Sequence, residues 1–181
     1  AVAYDSATFD LRNGVLQTDK SVYIIGSDII MTLIEPDLDL ESDEAETWDL
    51  DLVEWDSDAA TTAMGNMGAA GTSYTASFDP EPSDFRETGD STGIFQIVIE
   101  VPNTLAGTAL DRGELIDLEY TDWSPSGAKY VGEEEQDIGL SIYTSNFGAT
   151  IELDQKVYTW TDKVYITIVA PDHNFDGGLV D

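Results

Sequence analysis

Two stretches decide how this chain folds: VYIIGSDIIMTLIEPDLDLE at residues 22–41 and VYTWTDKVYITIVAPDHNFD at residues 157–176. In each, a Val-Tyr pair precedes a short polar turn, a strand-like run, Pro-Asp, and then alternating acidic or amide residues. Val22, Tyr23, Thr32, Pro36 and Asp37 recur as Val157, Tyr158, Thr167, Pro171 and Asp172, a constant offset of 135 residues. That period is far too long for a solenoid unit but suits a whole β-sandwich domain with long loops. The repeat therefore predicts a complete unit over residues 14–145 and the first strands of a further unit over residues 146–181. Residues 1–13 are expected to supply the last strand of a preceding unit, because AVAYDS at the start resembles LSIYTS at Leu140–Ser145.

Working outward, strands are expected at Val15–Ile25, Asp28–Glu35, Thr47–Trp55, Ser73–Asp79, Gly93–Val101, Glu114–Thr121 and Asp137–Thr144. Each is rich in β-branched or aromatic residues and bounded by Gly, Pro, Asp or Ser. Within WDLDLVEW, period-two alternation places Trp48, Leu50, Leu52 and Glu54 on one face and Asp49, Asp51, Val53 and Trp55 on the other. Within FQIVIEV, Phe95, Ile97, Ile99 and Val101 share a face. No segment reads as a convincing helix, and the glycine-rich Gly65–Gly71 reads as a loop. Seven strands separated by turns predict an all-β chain, an antiparallel sandwich of immunoglobulin type without the antibody disulfide, since the chain has no cysteine.

Charge narrows the function. The 181 residues carry 37 acidic against 7 basic side chains, a formal net charge of −30. Such a chain repels the phosphates of nucleic acids and of anionic membrane surfaces. Its 8 Tyr, 6 Phe and 4 Trp argue for a folded core rather than an acidic disordered tail. No apolar run is long enough to span a membrane. Starting at Ala1 without a signal peptide, the chain reads as a mature or excised piece of something longer.

The acids with a pattern follow Pro-Asp. Asp37, Asp39, Glu41 and Asp43 alternate after one strand end, and Asp172, Asn174 and Asp176 alternate after its repeat, ahead of Gly177. Alternating oxygen ligands on a turning loop suit calcium, which takes six to eight oxygens at about 2.3–2.6 Å. The competing reading is that these are Asx turns, in which side chains only bond their own backbone. The run at Glu133–Glu135 reads as a solvated loop, and Trp48, Trp55, Trp123 and Trp160 as core or inter-domain packing rather than a sugar platform. Catalysis is not expected: no carboxylate pair stands out from the acidic background, and no nucleophile elbow or phosphate loop is present.

The motifs resemble those of tandem immunoglobulin-like repeats in archaeal surface-layer proteins. Asp19-Lys20-Ser21-Val22-Tyr23 matches an Asp-Lys-x-x-Tyr strand. Glu35-Pro36-Asp37-Leu38-Asp39 matches Asp-Pro-Asp-x-Asn, with Glu for Asp and Asp for Asn, and Ala170-Pro171-Asp172-His173-Asn174 repeats it. Glu87–Phe95 matches Glu-Thr-Gly-x-x-Thr-Gly-x-Phe, and Gly113–Asp122 matches a closing Gly-Asp-x-Ile-x-x-x-Tyr-x-Asp strand, with Glu for the first Asp. The acidity is similar to that of surface layers from ammonia-oxidising or salt-adapted archaea. The resemblance implies an extracellular structural lattice of identical copies at the cell surface, often with bound calcium. The alternative is the stalk of a surface adhesin. In a porous lattice, a −30 charge per chain is expected to enrich small cations such as ammonium, although a hydrated, salt-adapted surface explains the same excess of Asp over Glu.

Overall fold

The computed structural model describes residues 13–65, 74–126, 128–145 and 150–169. Residues 1–12 of the 1–13 segment expected to supply the last strand of a preceding unit, and the Pro-Asp loop at residues 171–176, lie outside them.

Strand β3 (Asp28–Ile34) pairs antiparallel with β8 (Ile94–Glu100) in a register that sets Ile29 beside Ile99, Met31 beside Ile97 and Leu33 beside Phe95. All six side chains are buried. Alternation makes this possible: side chains two apart share a face, so two apolar stripes coincide across the pair. With β1 (Val15–Thr18), β7 (Glu81–Glu87) and β4 (Thr47–Trp48) they form one five-stranded sheet in the order β1-β3-β8-β7-β4. The second sheet runs β2 (Val22–Tyr23), β12 (Gln136–Thr144), β11 (Leu115–Asp122), β5 (Val53–Asp56) and β6 (Thr61–Ala63). Its inward residues, among them Tyr23, Val53, Trp55, Ile116, Leu118 and Ile142, join those of the first sheet in one buried cluster. Each fully buried large side chain contributes about 1.5–3 kcal/mol. A ribbon of β9 (Thr104–Leu105) and β10 (Thr108–Ala109) buries Leu105 at one edge of that cluster.

The chain is all-β, as the alternation predicts, with three departures in detail. The run expected as one strand at Val15–Ile25 is divided: β1 pairs antiparallel with β3, whereas β2 pairs parallel with β12 in the other sheet. Thr47–Trp55 is likewise not one strand, because Trp48 pairs opposite Phe85 in one sheet and Trp55 opposite Leu118 in the other. A 3-10 turn at Leu50–Leu52 makes the crossover, so Val53 and Trp55 face the core and Glu54 faces solvent. In place of a strand at Ser73–Asp79, a single helical turn, α1 (Thr75–Phe78), sets the Phe78 ring 5.1 Å from Trp55. Asp79 closes it in the left-handed region at φ 42°. Strand β7, with only Phe85 and Glu87 buried along its length, lacks the apolar alternation that would announce it.

The repeat is visible in three dimensions. Strands β13 (Thr150–Leu153) and β14 (Ile166–Val169) pair with Thr150 opposite Val169 and Leu153 opposite Ile166. Displaced by 135 residues, that is the register of Val15 opposite Ile34 and Thr18 opposite Met31. A clasp recurs with it. In the first copy the Tyr23 hydroxyl donates to Asp19 Oδ1 (2.6 Å) and accepts from Lys20 N (2.8 Å), while Ile30 N donates to the same Oδ1 (2.9 Å). In the second, Tyr158 donates to Asp154 Oδ1 (2.7 Å) and accepts from Gln155 N (3.1 Å), and Tyr165 N donates to that Oδ1 (3.0 Å).

Candidate cation site

The Pro-Asp motif, the Glu87–Phe95 motif and the end of β11 meet at one pole of the sandwich, and buried acids hold them together. Glu35 Oε1 accepts from Asp37 N (3.2 Å), starting a 3-10 turn at Pro36–Leu38. Its Oε2 accepts from the Tyr120 hydroxyl (3.3 Å), and its backbone N donates to Gly93 O (2.8 Å). Gly93 sits at φ +60°, where an added Cβ would lie 2.7 Å from the Pro36 α-carbon; the close approach of the two motifs requires glycine there. Asp122, at the end of β11, accepts from Gly14 N (2.9 Å) and Ser124 N (2.8 Å). At the opposite end of β11, Glu114 accepts from the backbone N of Asp58 and Asp111. Much of the acidity in the motifs therefore serves as internal caps for backbone N–H groups.

Glu87 caps the backbone N–H groups of Glu46, Thr92 and Gly93 and also accepts from the Thr92 hydroxyl. Burial opposes its ionisation, but the backbone N–H groups of Thr92 and Gly93 and contacts with Glu46 outweigh that and lower its pKa to about 2. Glu35 goes the other way: burial, with the neighbouring charges of Asp122 and Asp37, raises its pKa to about 7 despite the Asp37 N–H bond.

Beside Glu87 three carboxylates converge. One oxygen each from Asp39, Glu46 and Glu87 lie within 4.8 Å of one another. Glu46 Oε1 accepts from the backbone N–H groups of Leu40 (2.8 Å) and Glu41, which folds the loop back over it. Its Oε2 is buried with no hydrogen-bond partner. Asp39 Oδ2 accepts from Ser91 Oγ (2.9 Å). Among the described residues the ion pairs are Lys20 with Asp19 and Lys129 with Glu133, both away from this group. Three carboxylates with an orphaned oxygen and, among the described residues, no basic ion-pair partner offer the hard, oxygen-rich donor set that a divalent cation takes.

Of the residues expected as ligands, the structure brings only Asp39 into this group. Asp37 turns away, its Oδ2 accepting from Ser124 Oγ (3.0 Å), and Glu41 and Asp43 are exposed. Alternate residues share a face only in extended chain, and the 3-10 turn at Pro36–Leu38 breaks that relation. Asp172, Asn174 and Asp176 lie outside the described residues. Glu46 and Glu87 escape a reading by spacing because they are 41 positions apart; pairing of β4 with β7, Thr47 opposite Arg86, is what joins them. Of the tryptophans, Trp55 is in the core and Trp48 is half-buried with its Nε1 donating to Leu38 O, whereas Trp123 and Trp160 are exposed. No helix among the described residues is long and apolar enough to cross a membrane. No protein-family model matches the chain, and comparison with curated proteins finds no relative.

Proposed function

We propose that this chain is a segment of a tandem array of immunoglobulin-like sandwiches that builds an extracellular, archaeal-type surface layer, held together by divalent cations and copies of itself. The observation that carries the reading is the recurrence, 135 residues on, of the same hairpin register and the same Asp-Tyr clasp. A chain that repeats its opening hairpin in this way is constructed as serial modules, which suits a mechanical coat more than a single binding or catalytic domain. The strand order supports the immunoglobulin assignment: β1-β3-β8-β7 and β5-β11-β12 follow the A-B-E-D and C-F-G arrangement of that fold in chain order.

Calcium at Asp39, Glu46 and Glu87 would lock the Pro-Asp loop to β7 and so stiffen the pole of each module. The outer face of the second sheet adds to the cationic demand: Asp56 stands opposite Asp117, and Glu54 opposite Glu119. Like charges placed across a strand pair repel and gain from counterions. In a porous sheet such faces would concentrate small cations, ammonium among them.

The test is electron microscopy of the purified chain with calcium and with chelator. Calcium-dependent two-dimensional sheets are expected; monodisperse particles under both conditions would overturn the lattice and leave the adhesin stalk. Equal ammonium retention by native and carboxylate-neutralised sheets would remove the enrichment role.

A further inference from the structure

The two outer faces of the sandwich carry opposite chemistry. On the second sheet, Glu54, Asp56, Asp117 and Glu119 crowd together across β5 and β11. On the first sheet one outward row crosses all five strands without an acid. Gln17 stands opposite Thr32, Thr32 opposite Gln96, Gln96 opposite Arg86 and Arg86 opposite Thr47. The Gln96 amide donates to the Thr32 hydroxyl (3.2 Å). Two residues along the strands, on the same face, Ile34 lies between Val15 and Ile94; two residues the other way, Ile30 lies opposite Val98. Val15 and Ile30 are 40% and 43% exposed, and Ile34, Ile94 and Val98 are half-buried. Acids stand at the margin, Glu81 opposite Val98 and Asp28 opposite Glu100. Inside that margin Arg86 is the single charge in the three rows, in a chain of 37 acidic and 7 basic residues.

We propose that this face is a contact surface between two copies of the chain, first sheet against first sheet about a two-fold axis. This contact rests on the reading that copies of the chain assemble with one another, and fixes where they meet. Two chains of net charge −30 repel wherever acids face acids, so they approach best where charge is absent. The centres of protein interfaces are depleted of charged residues in the same way. Packing this face on the acidic face of a second copy would bury carboxylates without partners, which is costly. Like against like also closes on itself, because an isologous contact is satisfied by two copies. Four inter-strand steps of about 4.8 Å and four residue steps of about 3.4 Å make the uncharged patch roughly 19 Å by 14 Å. That is well short of the about 800 Å² per partner of a stable complex, so the contact is weak singly. Repeated along an array of modules, it gains by avidity.

A chain without cysteine makes the contact testable by crosslinking. The reaction is run in chelator, with about 1 M sodium chloride to cut the screening length to about 3 Å. Under those conditions Gln96→Cys treated with a short bismaleimide is expected to give covalent dimer. Ser141→Cys, beside Asp117 on the acidic face, is expected to stay monomeric. Ile30→Glu added to Gln96→Cys should lose the crosslink, with circular dichroism reporting the fold. Val15→Glu, at a comparably exposed position, repeats the test should Ile30→Glu unfold. No dimer from Gln96→Cys, equal yields from Gln96→Cys and Ser141→Cys, or crosslinks formed chiefly in mixtures of the two would overturn the contact. Calcium-dependent sheets from Ile30→Glu indistinguishable from those of wild type would also overturn it, while leaving the lattice reading in place. Covalent dimer without sheets in calcium would support the contact and overturn the lattice.

Discussion

The two hairpins share a register and a clasp, yet they occupy opposite environments. In the first, Leu16, Met31 and Leu33 are 5%, 0% and 0% exposed; their counterparts Ile151, Ile166 and Ile168 are 62%, 61% and 64% exposed. The first hairpin lies under the opposing sheet, and the second reaches the sandwich through contacts such as Lys156 Nζ to Thr18 O (3.0 Å). Hairpin geometry is therefore written locally, by Asp19 or Asp154 accepting from a tyrosine and from a backbone N–H across the turn. Burial is conferred by the rest of a module.

Large-to-small substitution should separate the copies most sharply. Met31→Ala is expected to cost about 2–5 kcal/mol in denaturant unfolding, as a fully buried side chain lost from a close-packed core. Ile166→Ala should stay within about 0.5 kcal/mol, as an exposed position does. Comparable losses at both positions would mean that the second hairpin is covered in solution.

Breaking the clasp comes next. Tyr23→Phe strips Asp19 of a donor and Lys20 N of its acceptor inside a buried setting, with an expected loss of about 1–3 kcal/mol. Tyr158→Phe should leave the global midpoint unchanged while speeding hydrogen exchange of the Tyr165 amide, which the Asp154 side chain then holds less firmly. A shift of the global midpoint by Tyr158→Phe would couple the second hairpin to the sandwich.

The copies should also differ in response to pH, because the position of Glu35 in the first is Ala170 in the second. Glu35, with its pKa raised to about 7, binds more protons folded than unfolded, so it costs stability progressively as pH rises from about 4.5 to 7. Glu87, lowered to about 2, contributes stability above about pH 4.5 that is lost as pH falls toward 2. Thermal melts of Glu35→Gln against wild type should show a flatter profile between pH 4.5 and 7 and a higher midpoint at pH 8. An unchanged profile would indicate that Glu35 is better solvated than its burial implies.

The smallest effect is expected on the sheet face. Burial together with Asp137, Glu54, Asp117 and Asp56 raises the pKa of Glu119. Glu119→Lys should stabilise the sandwich by about 0.2–1 kcal/mol through relief of cross-strand repulsion. The gain should shrink in high salt and leave hydrogen exchange in the second hairpin untouched.

Legibility in the sequence followed the range of the interaction. Alternation in DIIMTLI and IFQIVIE was readable because a strand face is set by neighbours two residues away. The Trp48–Trp55 run misled because its alternation continues through a change of sheet, which no local pattern records. Of the three converging carboxylates one was legible. Asp39 lies in a recognisable acidic loop, but Glu46 and Glu87 meet it only through pairing of β4 with β7. Glu87, within a motif notable for its glycines and threonines, proved to be the cap that those residues wrap around.

By itself, then, the sequence determined the all-β class, the 135-residue period and the hairpin that opens each copy, since all three rest on short-range periodicity and side-chain-to-backbone bonds a few residues apart. Only the tertiary structure decided which acids act as internal caps, which converge on one another and which simply face water. Those roles depend on burial and on oxygens brought together from distant strands, and a chain with 37 acidic residues offers no local mark to tell them apart.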